Sequence, residues 1–182
     1  IRHLKAASKI PVEEVVLHPG HARKAGEEPR RFKMAVASLE RICSAADALG
    51  IRVSVENLHS MGQLAFCDTL PKTLHLVRSV EGFAPGICAD TSHANLMGGV
   101  AEEMEICGAS VRRTHISDNL GHDDDHLPPG DGHINWQAVL TSLKRISYQD
   151  SLMLEISGHD GPEMVLSRAH SSLKRIISEW KG

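Results

Sequence analysis

The sequence predicts an α/β fold in which strands and helices alternate along a parallel sheet. Three observations carry this. Short apolar runs of strand length alternate with longer stretches of helical periodicity. Strand runs such as Val15-Val16-Leu17 are apolar at consecutive positions, as strands covered on both faces require. Five such βα units follow one another with no Pro/Ser-rich linker and no low-complexity tract, so residues 1–182 are read as one domain. Two parallel architectures fit, a doubly wound open sheet and a (β/α)8 barrel.

The opening Ile1–Ile10 reads as the end of a preceding helix. The first strand is Val12–His18, with Val15, Val16 and Leu17 in succession. A helix over Arg31–Leu49 follows from Phe32, Val36, Leu39, Ile42 and Ala46 at three- and four-residue spacing, and Gly50 supplies the stop beyond it. The second strand is Ile51–Asn57, with a helix over Leu70–Val80. A short strand at Ile87–Asp90 and a helix over Val100–Cys107 make the third unit. The strand Val111–Ser117 runs into a polar loop with Asp123-Asp124-Asp125 and Pro128-Pro129-Gly130, and a helix starts near Trp136 with Val139, Leu140 and Leu143. The last strand, Leu152–Ile156, precedes a helix over Pro162–Trp180 with Val165, Leu166, Leu173, Ile176 and Ile177 on one face.

Composition excludes several classes. The chain has 182 residues, with 20 Lys+Arg against 23 Asp+Glu and a formal charge of −3, a balance unlike that of a protein whose main partner is nucleic acid. A hydrophobic content of 41% with interspersed charges argues against disorder. No apolar run approaches the roughly 18 residues of a bilayer span, so no membrane partner is expected. No charged-then-apolar leader is visible, which points to the cytoplasm, and a start at Ile1 suggests a longer natural polypeptide. Cys43, Cys67, Cys88 and Cys107 are scattered and read as small core residues rather than a metal or redox motif. The unusual number is 12 His, twice the total of 3 Phe, 1 Tyr and 2 Trp.

The strand ends account for part of that excess. They read His18-Pro19-Gly20, Glu56-Asn57, Asp90-Thr91-Ser92-His93, His115-Ile116-Ser117-Asp118 and Glu155-Ile156-Ser157. Carboxyl ends of parallel strands open on one face, so these groups converge. One acid at a strand end is an ordinary helix cap; a ligand-type side chain at all five is not. Glu56, Asp90, His115 and Glu155 form an oxygen-and-imidazole set suited to Mn²⁺, Mg²⁺, Co²⁺ or Zn²⁺. Without a cation, three carboxylates in one cleft would raise each other's pKa. His93, Asp124 and His126 offer ligands for a second metal or contacts for substrate, and His18 reads as a ligand, a substrate contact or a strand-end turn residue. His75 and His170 fall in helical patterns, His59, His122, His133 and His159 in polar loops near the strand ends, and His3 and His21 near a terminus and a basic turn. Gly20–Gly26, with Arg23 and Lys24, is a weak phosphate-binding candidate. Walker, Rossmann, nucleophile-elbow and His-Glu-x-x-His patterns are all missing from the sequence.

Taken in order, the segments His18-Pro19-Gly20, Val55-Glu56-Asn57, Asp90-Thr91-Ser92-His93, His115-Ile116-Ser117-Asp118, Asp124-Asp125-His126 through Gly130-Asp131-Gly132 to Trp136, and Glu155 resemble the xylose-isomerase-like TIM-barrel superfamily. That superfamily holds sugar-phosphate isomerases and epimerases and the family 2 AP endonucleases. The resemblance implies a (β/α)8 barrel, of which this chain supplies about the last five βα units and lacks the amino-terminal ones. It implies Glu56, Asp90, His115 and Glu155 as shared metal ligands, and His18, His93, Asp124 and His126 at positions that hold further zinc in the endonuclease branch. In the isomerase and epimerase branch, Glu56 and Glu155 would be the catalytic acid and base beside a carbonyl, and His93 would help bind a sugar or sugar phosphate.

Two departures bear on the branch. The sequence after His115 reads Asp118-Asn119-Leu120-Gly121, without the Arg common in sugar epimerases, and the one after Glu56 reads Leu58-His59-Ser60-Met61-Gly62, without the endonuclease glycines. The acidic balance and few aromatics count against DNA, so the isomerase or epimerase is the favoured reading. A zinc-dependent AP endonuclease acting on DNA is the alternative, and a non-catalytic barrel remnant a third. A barrel needs about 250 residues. Five strands alone would expose edge strands and an apolar interior, for which a homo-oligomer is one cover.

Overall fold

A computed structural model describes residues 1–22, 24–60, 64–157 and 161–180. Arg23 of the basic turn, Met61, Gly62 and His159 lie outside the described residues. Helix α1 (Arg2–Ala7) leads to strand β1 (Glu14–Leu17), a two-residue strand β2 (His21–Ala22) and helix α2 (Glu28–Asp47). Then come β3 (Arg52–Glu56), β4 (Leu64–Ala65), α3 (Leu70–Arg78), β5 (Gly86–Asp90), α4 (Thr91–Leu96) and α5 (Val100–Cys107). The chain closes with β6 (Val111–Ile116), α6 (Trp136–Arg145), β7 (Met153–Leu154) and α7 (Pro162–Glu179).

Five strands pair in parallel in the order β1-β3-β5-β6-β7. Each strand lies beside its predecessor in the chain, with no reversal of direction across the sheet. A doubly wound sheet has such a reversal, so the order decides between the two architectures in favour of a barrel. The sheet curls as half of a (β/α)8 barrel. Burial follows: all five residues of β5 and Val53–Glu56 of β3 are buried, whereas β1 and β7, at the edges, are half-buried or exposed. The helical cover contributes Leu39, Cys43 and Ala46 from α2, Leu70, Leu74 and Val77 from α3, Met104 and Cys107 from α5, and Val139, Leu140 and Leu143 from α6. All four cysteines are buried and unpaired with one another, as small core residues.

The inner face departs from the apolar interior that the strand pattern suggested. At its amino-terminal end the Glu14 carboxylate accepts from the Ser54 hydroxyl and lies 3.0 Å from Arg113 Nη2 and 3.4 Å from Arg52 Nε, and Arg113 pairs in turn with Asp150. Inward positions on β1, β3 and β6 therefore carry opposite charges that neutralise one another. No helix among the described residues is long and apolar enough to cross a membrane.

Small polar side chains tie the carboxyl ends of the strands together. Asn57, fully buried after β3, accepts from the Asp90 N–H at 2.8 Å and donates to the Asp90 carbonyl at 3.2 Å. Thr91 Oγ1 donates to the Ser117 carbonyl at 2.7 Å and accepts from the Ser117 N–H at 3.1 Å. Two elements were not foreseen. Asp90 is itself the N-cap of α4, its Oδ1 accepting from His93 N at 2.7 Å, so a helix begins immediately where β5 ends. Strands β2 and β4 form a separate antiparallel pair beside the strand ends.

The long loop after β6 is wound around Asp118. Its buried carboxylate accepts from Gly130 N (2.8 Å), Ile134 N (3.1 Å), Trp136 Nε1 (2.8 Å) and Asn119 N (2.9 Å). Backbone bonds between Asp118 and Leu127 close the inner part of the loop. Gly132 leaves room for this packing: a Cβ there would lie 2.3 Å from Asp118 Oδ1 and 2.4 Å from the Asn119 carbonyl. Gly132→Ala is therefore expected to destabilise the fold by about 1–3 kcal/mol in denaturant melts, whereas Gly99→Ala, which meets only the flexible Glu103 side chain at 3.2 Å, is expected to cost less. Equal melts for Gly132→Ala and wild type would show that the loop is not clamped in this way.

Candidate metal centre

The parallel register delivers the site. β3 ends on Glu56, β5 on Asp90, β6 carries His115 next to its last residue, and Glu155 follows β7, its N–H donating to the Ile116 carbonyl at 3.0 Å. Ligand atoms of Glu56, Asp90, His115 and Glu155 all lie within 4.8 Å of one another. His115 Nδ1 stands 2.6 Å from Glu155 Oε2 and 3.3 Å from Glu56 Oε1. His18, just beyond β1, places Nε2 3.2 Å from Glu56 Oε2, so Glu56 lies between two imidazoles.

The electrostatics of this group are uneven. Burial pushes Glu56 toward neutrality, but hydrogen bonds with His115 and His18 outweigh it and hold its pKa at about 2. Asp90, fully buried, has no such rescue and is pushed up to about 7 by desolvation. Burial opposes a charge on His115 as well, yet contacts with Cys88, Glu155 and Glu56 drive its pKa well above the usual imidazole value, and His115 holds Glu155 below the usual carboxylate range. Buried Asp90 Oδ2 has no hydrogen-bond partner among the described residues, and His115 Nδ1 and Glu155 Oε2 are met only from within the group itself. An orphaned carboxylate oxygen in a crowded set of three carboxylates and one imidazole fits a divalent cation.

A second group surrounds Asp124. Its Oδ1 accepts from Ser92 Oγ at 2.7 Å, and its Oδ2 lies 3.0 Å from His126 Nε2, 3.2 Å from His93 Nε2 and 3.9 Å from His59 Nε2. Ligand atoms of His59, His93 and Asp124 also lie within 4.8 Å of one another. Hydrogen bonds from His126, His93 and Ser92 overcome burial and hold Asp124 far below the usual carboxylate value. Asp124 lifts His126 to about 9, and it also lifts His93 to about 9 against the effect of burial.

The structure thus brings all eight sequence-predicted residues to one face, with Glu56, Asp90, His115 and Glu155 gathered as one group and one change of neighbour in the other. His18 sits on Glu56 of the first group and not with His93, Asp124 and His126. Two residues missed as site members line the same 320 Å³ cavity: His59, from the loop after β3, and His21, on β2. Proximity to Glu56 in sequence was the one signal for His59; His21 had none, because β2 is too short for a periodicity. His122, His133 and His170 are exposed, and His75 stacks on Phe32 away from the site. Among the neighbours of Asp124, Asp125 accepts from Leu120 N and exposed Asp123 pairs with His122.

The Asp90 shift predicts a pH signature. Its folded pKa lies above the ordinary carboxyl value, so protonated Asp90 favours the chelated fold at low pH, and that contribution is lost as pH rises through about 7. Asp90→Asn keeps an oxygen to cap α4 but removes the titration. The Tm advantage of Asp90→Asn over wild type in chelator is expected to grow between about pH 5 and pH 8. A gap that does not change with pH would show that Asp90 is ionised throughout.

Comparison with known proteins places this geometry in context. A family model described as xylose isomerase-like TIM barrel matches residues 1–176. An uncharacterised protein of Methanocaldococcus jannaschii is 30% identical over 158 residues, covering 84% of this chain and 53% of that protein. A probable endonuclease 4 of Oleidesulfovibrio alaskensis is 27% identical over 180 residues (88% and 60%), and an inosose isomerase of Bacillus subtilis 23% over 160 (81% and 56%). Among solved structures, a D-tagatose 3-epimerase-like protein superposes with a TM-score of 0.83 at 26% identity, over 97% of this chain and 66% of that one. The IolI protein with a bound zinc atom gives 0.85 at 20% identity, over 98% and 68%. The chain spans about half to three fifths of the length of these curated relatives.

Proposed function

The chain belongs to the xylose isomerase-like TIM barrel family, and from that premise we propose that residues 1–182 form the catalytic face of a divalent-metal-dependent isomerase or epimerase acting on a sugar or sugar phosphate. The observation that carries this reading is the pair of glutamates flanking His115, Glu56 Oε1 at 3.3 Å and Glu155 Oε2 at 2.6 Å from the same Nδ1. Two carboxylates facing one point can take a proton from a carbon beside a carbonyl and return one from the other side. Glu56, Asp90, His115 and Glu155 would hold the cation, whose chemistry is to polarise the carbonyl and hydroxyl oxygens.

The remaining roles belong to the chain. Glu155 is the more accessible of the pair and Glu56 the more deeply held, fixed by His18 and His115. Both ring nitrogens of His93 are engaged, by the Asn57 carbonyl at 2.9 Å and by Asp124, so substrate hydroxyls meet His18 and His21 on the cavity wall in preference to His93. Zinc bound in the IolI structure and the epimerase-like and inosose isomerase relatives support this choice.

The Asp124 group favours a second reading, hydrolysis of a phosphodiester, in keeping with the similarity to a probable endonuclease 4. One set of assays separates the readings. The full-length protein loaded with Mn²⁺ or Zn²⁺ is expected to exchange solvent deuterium into a ketose or ketose phosphate, and Glu56→Gln or Glu155→Gln to lower that rate by about 10²–10⁴-fold. Nicking of abasic-site DNA that Glu155→Gln abolishes, with no exchange into the sugars, would replace the isomerase by the endonuclease. Neither activity in a metal-loaded protein would leave a non-catalytic metal-binding barrel.

A further inference from the structure

The amino-terminal end of the sheet, opposite the metal centre, carries an irregularity in its register. Strands β5 and β6 pair at Ile87 with Val111 and next at Cys88 with Arg113, which leaves Arg112 as an extra residue on β6. A bulge of this kind interrupts the alternation of the strand and re-aims a side chain. Here it brings Arg112 to the inner face beside Arg113. A Cβ on Gly86 would lie 2.6 Å from Arg112 Cδ and 2.6 Å from Ser54 Oγ, and the Ser54 hydroxyl donates to Glu14. The Arg112 stem therefore crosses the bare backbone of Gly86 on the side that Ser54 and Glu14 occupy.

Three guanidinium groups meet at this end, and two of them are neutralised. Arg52 lies 3.4 Å from Glu14 and 3.5 Å from Glu13, while Arg113 lies 3.0 Å from Glu14 and pairs with Asp150. Arg112, half-buried, has no ion pair and no side-chain hydrogen bond among the described residues. Asp47 of α2 borders a smaller cavity with Arg112 but makes no ion pair with it. All three arginines line a cavity of about 260 Å³ with Glu14, Asp150 and Gln149; Glu13 is exposed and does not line it. Three cations against two carboxylates leave that cavity one positive charge in excess. A guanidinium drawn partly out of water favours an anionic partner, and its planar fork matches a phosphoryl group through two parallel N–H donors.

We propose that Arg112, with Arg52 and Arg113 beside it, forms a binding site for a phosphate-type oxyanion at the amino-terminal end of the sheet. Arg52 and Glu56 stand four residues apart on β3, about 13 Å at the rise of an extended strand. Ser54 and Cys88, both fully buried, fill the inner face between the two ends. An anion held by Arg112 is thus a separate ligand and not the phosphate of a molecule reacting at Glu56, and the site does not depend on the isomerase reading. Its effect is on the frame: the anion neutralises the surplus charge and links β3 to β6 across β5. The cavity is larger than a free phosphate ion, so the phosphoryl group of a small organic molecule fits as well.

Calorimetric titration of the full-length, metal-loaded protein with inorganic phosphate and, separately, with a hexose phosphate tests the assignment without reference to activity. Wild type is expected to bind at least one of the two. Arg112→Gln, checked for an unchanged circular dichroism spectrum, is expected to bind it about 10–100-fold more weakly. Gln149→Glu keeps Arg112 and supplies the cavity with a carboxylate from an exposed position, and it is expected to weaken binding in the same direction. Asp90→Asn, at the other end of β5, is expected to retain this binding. Tighter binding of the hexose phosphate than of inorganic phosphate would identify an organic phosphate as the ligand, and the reverse order the free ion. Wild-type affinity for both anions in Arg112→Gln and Gln149→Glu alike would overturn the proposal, as would a wild type that binds neither. Binding lost in Asp90→Asn and kept in Arg112→Gln would put the phosphate on the metal centre, which ends this assignment and leaves the isomerase reading intact.

Discussion

Three carboxylates and an imidazole held within 4.8 Å of one another are the constraint around which the strand ends are built. Left to itself such a group would spread apart, because each carboxylate raises the pKa of its neighbours and burial raises it further. The fold prevents this: each residue comes from the end of a different strand of one parallel sheet, and the hydrogen-bonded sheet fixes the strand ends. Asn57 and Thr91 then lock β3 to β5 and β5 to β6 through two hydrogen bonds each. Asp90 bears the largest penalty, since it is fully buried and one of its oxygens caps α4 while the other is unpaired. A rigid frame holding an unfavourable charge cluster is what a cation-binding site requires of its protein.

The second group depends on the first through the loop after β6. Asp118 gathers the loop by four donors, and Asp124 and His126 are carried on the segment so gathered. His126 Nδ1 lies 3.0 Å from the Glu155 carbonyl and His93 N donates to Asp90 Oδ1, so two residues of the Asp124 group are tied directly to members of the Glu56 group.

Most of this architecture was legible because it rests on long-range patterns. Consecutive apolar positions in β1 and β5, helical spacing in α2 and α7, and an acid or histidine at each strand end are all features that survive without coordinates. What escaped was short. β2 and β4 have two residues each, below any periodicity, so His21 read as part of a basic turn. α4 was hidden because Asp90 ends a strand and starts a helix at once, two roles that the residue type does not separate. The polar lining at the floor was hidden for a related reason: Glu14, Ser54 and Arg113 lie in strand-like segments, and their mutual neutralisation is visible only when the strands are side by side.

Proton transfer and phosphodiester hydrolysis differ in what they ask of the metal. Hydrolysis needs a coordination position free for hydroxide and a further cation to receive the leaving oxygen. Proton transfer needs one polarising cation and two bases on either side of a carbon. Glu56 and Glu155, both held against the same imidazole nitrogen, are the pair on which the proton-transfer reading rests, while the hydrolytic reading draws on the ligand-type atoms of His59 and His93 gathered about the Asp124 carboxylate.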